Sequence, residues 1–187
     1  LIPLLNPDQY LTPNPRYAAY YAAKIASLRQ ARWMLAISEY SRQEGLQALG
    51  ENEERIIHVG TAIGGEFRPL TFAPAASTAL LGRLGISRAL VLYTGGADER
   101  KNLPRLIEAW AALPSALRQT HQLLFAGRMP DSYVAEFRRL ARQEGLQADE
   151  LLFSGYVSDA ELVQLYNLCK LYVFPSWHEG FGLPALE

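Results

Sequence analysis

Between residues 89 and 174 the chain alternates strictly between two kinds of segment, and this alternation constrains its fold more than any other feature. Short apolar, β-prone runs occupy Ala89 to Tyr93, Gln122 to Ala126, Leu151 to Phe153 and Leu171 to Phe174. Between them lie segments with helical spacing. Leu103, Leu106, Ile107, Trp110 and Leu113 make one stripe, and Val134, Phe137, Leu140 and Ala141 make a second, closed by Gly145 with Leu146 behind it. A third helix opens at Ser158, where Glu161 three positions on completes a capping box, and runs to Leu168. Strands joined through helices cross over right-handedly, so the four runs are expected to form a parallel, doubly wound α/β sheet with helices on both faces.

Upstream the pattern is less regular. Four prolines, Pro3, Pro7, Pro13 and Pro15, predict an irregular loop over residues 1 to 15. Helical spacing runs from Arg16 to Arg32, a strand is expected at Trp33 to Ile37, and Ser38 or Ser41 caps a helix to Leu49, the second with Glu44 three positions on. A further strand follows at Ile56 to Val59, in which His58 reads as a structural histidine. Residues 65 to 87 carry Pro69 and Pro74 and suit a linker with a short helix over Ser77 to Leu84. The expected organisation is therefore the end of one domain over residues 1–70, a linker over 71–87 and a second domain over 88–187. The heptapeptide Arg42 to Ala48 recurs at Arg142 to Ala148 without matching flanks, which reads as the same helix-end chemistry used twice.

Composition narrows the function classes. The chain has 187 residues, 49% hydrophobic and 20% charged, as expected for a globular protein with a sizeable core and not for a disordered or membrane-spanning one. Eighteen Lys and Arg against nineteen Asp and Glu leave no global field to draw it to nucleic acid, so any charge that holds an anion must be local. The sole cysteine, Cys169, has no internal disulfide partner and reads as a buried small residue. No signal peptide or transmembrane run is present, which predicts a cytoplasmic location. A start at Leu1 without methionine and a stop at Glu187 inside an unfinished helix read as a fragment.

Two loops carry candidate chemistry. The stretch from Phe174 to Glu187 places Gly180, Gly182, Pro184 and two glutamates, Glu179 and Glu187, between the fourth strand and a helix start. Pro184 suits the first turn of that helix, which is expected to hold Glu187 about one turn inside. Amides at a helix start favour an anion such as phosphate, and carboxylates accept from sugar or ribose hydroxyls. A plain helix-dipole role for Glu187 and a solvated role for Glu179 remain equally open on spacing alone. The second loop, Thr94 to Asn102, leaves the first strand at the edge where open parallel sheets bind ligands. Gly95 and Gly96 permit backbone approach there. Arg100 and Lys101 put two cations at a helix start, a placement the dipole disfavours unless an anion lies between, and a solvated charged turn remains equally open on spacing alone.

The run from Glu179 through Gly180, Phe181, Gly182, Leu183 and Pro184 to Glu187 closely resembles the two-glutamate motif of the group-1 (family 4) retaining glycosyltransferases, which have the GT-B fold. Pro175-Ser176 stands in register with it. Lys101-Asn102-Leu103 resembles that family's diphosphate loop, and Ala36 to Arg42 with Glu54 to Val59 is similar to the close of its N-terminal domain. The resemblance implies an incomplete GT-B chain: a Rossmann-like donor domain and the remnant of a second Rossmann-like domain. It implies a nucleoside-diphosphate-sugar donor, a saccharide or lipid-linked acceptor hydroxyl and retention of configuration. A role in polysaccharide synthesis and peripheral membrane association of a longer protein are compatible with it. By resemblance Glu179 lies by the transferred sugar, Lys101 and Arg100 neutralise the leaving diphosphate, and the amides of Gly180, Phe181, Gly182 and Leu183 contact sugar and diphosphate. Glu187 then holds the ribose, Tyr156 and Val157 cradle the base with main-chain atoms, and Gly95, Gly96, Gly127 and Arg128 line the same edge. His178 is left without a role.

Two departures stand out. Many relatives place an arginine where this chain has Gly96, leaving Arg100 as its substitute, and Thr61 to Gly64 replaces the usual Asn-Gly-Val-Asp turn. The glycine loop lean is toward GDP-mannose. A dinucleotide-dependent oxidoreductase is rejected, because after Gly96 the next glycine is Gly127 and the second strand lacks a terminal acidic residue. The chain has no Asp-x-Asp pair and no zinc spacing, so neither metal nor other cofactor is expected. The alternative held open is a nucleotide-sugar-binding module without transferase activity.

Overall fold

The computed structural model describes all 187 residues. By internal contacts they group into two units: residues 1–62 with 178–182, and residues 63–177 with 183–187.

The first unit begins with α1 (Ile2–Leu5), α2 (Pro7–Tyr10) and α3 (Pro15–Leu28). The expected irregular loop over residues 1 to 15 is thus corrected to two short helices. Pro3, Pro7 and Pro15 all fall in the first two positions of a helix, where a missing N–H is lost to no intrahelical bond. β1 (Met34–Ala36) is followed by α4 (Glu39–Leu49), and a 3-10 turn at Glu53–Arg55 leads into β2 (Ile56–His58). Ser38 caps α4 by accepting from the Ser41 N–H, while Gly50 closes it with φ +62°. β1 and β2 pair in parallel, Met34 opposite Ile56. Their small core joins Met34, Ala36, Leu49 and Ile56 to Leu4, Ile25 and Leu28.

The second unit begins with α5 (Pro74–Arg83), then β3 (Ala89–Thr94), a 3-10 turn at Glu99–Lys101, α6 (Leu103–Ala111) and α7 (Ser115–Thr120). β4 (His121–Ala126), α8 (Asp131–Gln143), β5 (Leu151–Gly155), α9 (Asp159–Leu168), β6 (Leu171–Tyr172) and a final 3-10 turn at Leu183–Ala185 complete it. All strand pairs are parallel, in the order β5-β4-β3-β6.

Successive side chains of a strand point to opposite faces, so each strand feeds two cores. Val91, Tyr93, Leu123 and Phe125 pack with Leu103, Ile107 and Trp110 of α6 and Phe137 of α8. Leu90, Leu92, Leu124 and Ala126 pack on the other face with Leu80 of α5 and Leu165 of α9. Helices therefore cover both faces, as the alternation requires. α5 contributes Leu80, with Ile86 behind it, to that second core, so the stretch read as linker is built into the sheet's packing. Burying a leucine or isoleucine of this kind contributes about 1.5–3 kcal/mol.

The strand order positions the site. The chain builds β3, β4 and β5 in one direction, then returns through α9 to lay β6 on the other side of β3. Order reverses between β3 and β6, and in open α/β sheets ligands bind outside the carboxyl ends of strands at such a reversal. β6 is shorter than the expected run to Phe174. Val173 still donates to Leu92 O at 2.8 Å, after which Pro175 turns the chain out of the ladder.

Candidate functional site

At the carboxyl end of β3 the chain turns through Gly95, which has φ +137°. Gly127, at the same level of β4, also has φ +137°, and a Cβ there would stand 2.5 Å from Gly95 O. Only glycine lets these two backbones approach so closely. On its other side the Gly127 N–H reaches Gly155 O at 3.2 Å and Ser154 Oγ at 3.3 Å. Gly95, Gly127 and Gly155 thus form a continuous main-chain ledge across three strand ends. Tyr156 beyond it is 76% exposed, whereas Val157 packs against the α5 and α9 core. Gly96 has open space around its Cα, and its carbonyl accepts from the Tyr93 hydroxyl at 2.7 Å.

Arg100 and Lys101 do not stand in the first turn of α6, as expected, but on the separate 3-10 turn before it. Asp98 caps that turn through the Arg100 N–H at 3.1 Å and pairs with the Arg100 guanidinium at 3.2 Å. Asn102 then enters the left-handed region at φ +57°, which an asparagine tolerates, and resets the chain direction for α6. The cations thus stand directly before the α6 cap, on a turn of their own.

This loop meets the loop leaving β6. The Asn102 side-chain amide donates to Pro175 O at 3.2 Å, the Trp177 N–H donates to Arg100 O at 3.0 Å, and Lys101 Nζ lies 5.7 Å from the Phe174 ring centroid. A cation over an aromatic face is attracted by the ring's quadrupole. The two loops that flank the strand-order reversal are thus fixed to each other, with Lys101 at their junction.

Glu187 lies just past the terminal 3-10 turn and not inside a helix, its N–H reaching Leu183 O at 3.1 Å. The Glu187 carboxylate is held from α9. Tyr166 donates its hydroxyl proton to Glu187 Oε2 at 2.8 Å. Tyr166 also contacts Thr94 Oγ1 at 2.7 Å, and Thr94 Oγ1 contacts the Tyr172 hydroxyl at 3.1 Å. Each hydroxyl has one proton, so the direction of the chain is determined. With the Tyr166 proton given to Glu187, Thr94 donates to Tyr166 and Tyr172 donates to Thr94. Burial, reinforced by the Glu187 carboxylate, pushes the Tyr166 hydroxyl well above its ordinary range, so it remains a neutral donor.

The other end of the two-glutamate segment groups with the first unit: Glu179, Gly180, Phe181 and Gly182 belong there with His178. His178 is 9% exposed and bonds through Nε2 to Glu44 of α4, itself 7% exposed, while Tyr40 packs edge-on at 5.9 Å. Gly180 O accepts from Ser41 Oγ at 2.8 Å and also from Ser38 Oγ. A Cβ on Gly180 would come 3.1 Å from Ser41 Oγ, so a bare backbone lets the serines hold this carbonyl. The Glu179 segment is thus fixed by α4 on both flanks. Gly182 has φ +92°.

Sequence reasoning missed Thr94, Tyr166 and Tyr172, and left His178 unassigned. The only available signal was chemical: tyrosines at apolar positions of α9 and β6 need partners for their hydroxyls. No group of three or more His, Cys, Asp or Glu side chains is placed to hold a metal ion. No helix is long and apolar enough to cross a membrane.

The sequence model described as Glycosyl transferases group 1 matches residues 84–187, more than half of the chain. The chain belongs to that family. It is 35% identical over 187 residues to the serotype-specific mannosyltransferase WbdA of Escherichia coli, covering 100% of this chain and 23% of that protein. It is 35% identical over 99 residues to a GDP-mannose:cellobiosyl-diphosphopolyprenol alpha-mannosyltransferase of Xanthomonas oryzae pv. oryzae, covering 52% of this chain and 25% of the relative. The crystal structure of WaaG, a glycosyltransferase involved in lipopolysaccharide biosynthesis, superposes with a TM-score of 0.73 at 23% identity over 91% of this chain and 45% of that one. The architecture is accordingly α/β of the GT-B glycosyltransferase type, and the group-1 chain spans less than half the length of each of these proteins.

Proposed function

We propose that this chain is the donor-binding part of a retaining mannosyltransferase that takes its sugar from a nucleoside-diphosphate mannose, GDP-mannose being preferred. The observation that carries the reading is the junction of the β3 and β6 loops at the strand-order reversal, with Lys101 over Phe174. The mannosyl names of the relatives and the GDP-mannose donor of one of them support the choice of sugar and base.

In this reading the bond between the sugar's anomeric carbon and the diphosphate breaks, and the electron pair leaves with the diphosphate. A bond to the acceptor hydroxyl oxygen forms as that hydroxyl passes its proton to the departing diphosphate. Lys101, with Arg100 beside it, stabilises the charge growing on the diphosphate, which is electrostatic catalysis by a fixed cation. Main-chain atoms of Gly95, Gly96, Gly127, Gly180, Phe181, Gly182 and Leu183 contact diphosphate and sugar. Tyr156 and Val157 frame the base, Glu179 orients the sugar and Glu187 accepts from the ribose. No metal or other cofactor enters these steps. The acceptor is a saccharide or a lipid-linked saccharide, in the synthesis of a polysaccharide on the cytoplasmic side of a membrane.

The test is calorimetric titration of the intact protein with UDP, GDP and ADP, followed by transfer assays with GDP-mannose and assignment of the product's anomeric configuration. GDP is expected to bind most tightly and the product to keep the donor's α configuration. Lys101→Ala is expected to lower the transfer rate by about 3 kcal/mol in barrier, more than a hundredfold. Unchanged kinetics would remove Lys101 from the site, and tighter binding of UDP would overturn the choice of base.

A further inference from the structure

We infer that Tyr166 is a positioning residue for Glu187 and, through it, a determinant of specificity for ribose. The inference rests on the ribose role proposed above. A free glutamate side chain visits many rotamers, and accepting from a ribose hydroxyl would first require fixing one of them. Here that fixing is done in advance. Tyr166 on α9 donates to one carboxylate oxygen, and its own oxygen is held by Thr94, the last residue of β3, which is 5% exposed. Thr94 in turn accepts from Tyr172 of β6. The carboxylate is therefore referenced through a directional hydroxyl relay to the two strands that flank the reversal in strand order. Tyr166 donates to Oε2, and the remaining acceptor positions of the carboxylate stay aimed by that bond.

The ring itself is anchored independently. Tyr166 packs edge-on against Phe67 at 6.0 Å and tilted against Tyr172 at 5.4 Å, and the Cys169 thiol donates to the Tyr166 main-chain carbonyl at 3.2 Å. Tyr166→Phe therefore removes the hydroxyl while leaving ring packing in place, which separates positioning from folding.

The experiment compares GDP with its dideoxyribose counterpart, binding each to the intact protein and to Tyr166→Phe, Thr94→Val and Glu187→Gln variants. For Tyr166→Phe, GDP affinity is expected to fall about tenfold, the worth of one hydrogen bond to a charged group, with the dideoxy nucleotide unchanged. Thr94→Val is expected to move GDP affinity in the same direction by less. Glu187→Gln is expected to remove most discrimination between the two nucleotides. If Glu187→Gln removes it and Tyr166→Phe does not, the relay is refuted while the ribose role stands. If Glu187→Gln leaves discrimination intact, the ribose role itself falls and the inference falls with it. Equal weakening of both nucleotides by Tyr166→Phe would show a merely structural hydroxyl and would also overturn it.

Discussion

The heptapeptide Arg-Gln-Glu-Gly-Leu-Gln-Ala occurs once in each unit, and its two copies fold differently. At residues 42–48 α4 runs straight through it to Leu49, and Gly50 takes the left-handed turn. At 142–148 α8 stops at Gln143, Gly145 adopts φ +80°, and the Leu146 N–H returns to Ala141 O at 2.9 Å. Both copies lie at helix ends, as expected, but the first stays helical throughout and the second contains the stop itself. Local propensity is identical, so packing decides. In α8 the residue that must reach the core is Leu146, 4% exposed, and a left-handed glycine turns it inward while Glu144 stays exposed. In α4 the outward turn waits until Leu49 is buried, Gly45 lies against Ile56, Arg42 Nε donates to Ile56 O at 2.8 Å, and Glu44 meets His178. One sequence thus serves as a helix stop in one place and as an anchor for the His178 segment in the other.

The strongest way to break this contrast is to remove the equivalent glutamates. Glu44→Ala takes the carboxylate from a buried imidazole and is expected to destabilise the protein by about 3 kcal/mol, as when one partner of a buried pair is lost. Glu144→Ala, on an exposed surface, is expected to change stability by less than about 0.5 kcal/mol. Urea midpoints of the intact variants measure both. Similar shifts would show that burial does not distinguish the copies.

The glycines give the next, smaller test. Gly145→Ala forces a side chain into the left-handed region and is expected to cost about 1–2 kcal/mol. Gly45→Ala gains about 1 kcal/mol of helix propensity. Its Cβ would also meet Ile56 Cδ1 at 3.1 Å, so the two effects are expected nearly to cancel. A thermal midpoint that falls as far for Gly45→Ala as for Gly145→Ala would remove the distinction.

Much of the fold could be read from the chain because its signals are short-range. The four strands of the second unit and the capping box at Ser158 follow from adjacent residues, and the structure places them with shifts of one or two positions. Errors arose where a local rule had two outcomes. Proline excludes a helix interior but suits a helix start, so residues 1 to 15 were misread, and α7 carries too short a pattern to announce itself. The Lys101 loop drew notice because two glycines and two cations stand close together after a strand end, a pattern carried by adjacent residues. The Tyr166 relay was not, since Thr94 stands 72 residues from Tyr166 and 78 from Tyr172. His178 and Glu44, 134 residues apart, left no trace in sequence for the same reason.

Helix caps extend the contrast at its smallest scale. Ser158 serves only α9: its hydroxyl accepts from the Glu161 N–H, and Glu161 Oε2 accepts from the Ser158 N–H at 2.8 Å. Ser38 caps α4 by accepting from the Ser41 N–H at 2.9 Å and also donates to Gly180 O. Ser158→Ala is expected to cost about 1 kcal/mol, and Ser38→Ala more, because it also loosens the Glu179 segment. The α9 cap has a pH signature as well. The Ser158 N–H, then its hydroxyl and Arg83, hold the Glu161 carboxyl below its ordinary value of 4.5. The unfolded chain therefore takes up that proton at higher pH than the folded one does. The cap's contribution is full above the ordinary value and disappears as pH falls through the lower folded one. Melting temperatures scanned downward from neutral pH should fall less steeply on the acid side in Ser158→Ala than in the unaltered protein. Alanine keeps the Ser158 N–H, so the change reports the hydroxyl alone: parallel curves would mean that the Ser158 hydroxyl adds nothing to the hold of its N–H on the carboxylate, and the difference between a cap that serves one helix and a cap that also serves a loop would have to rest on Ser38 alone.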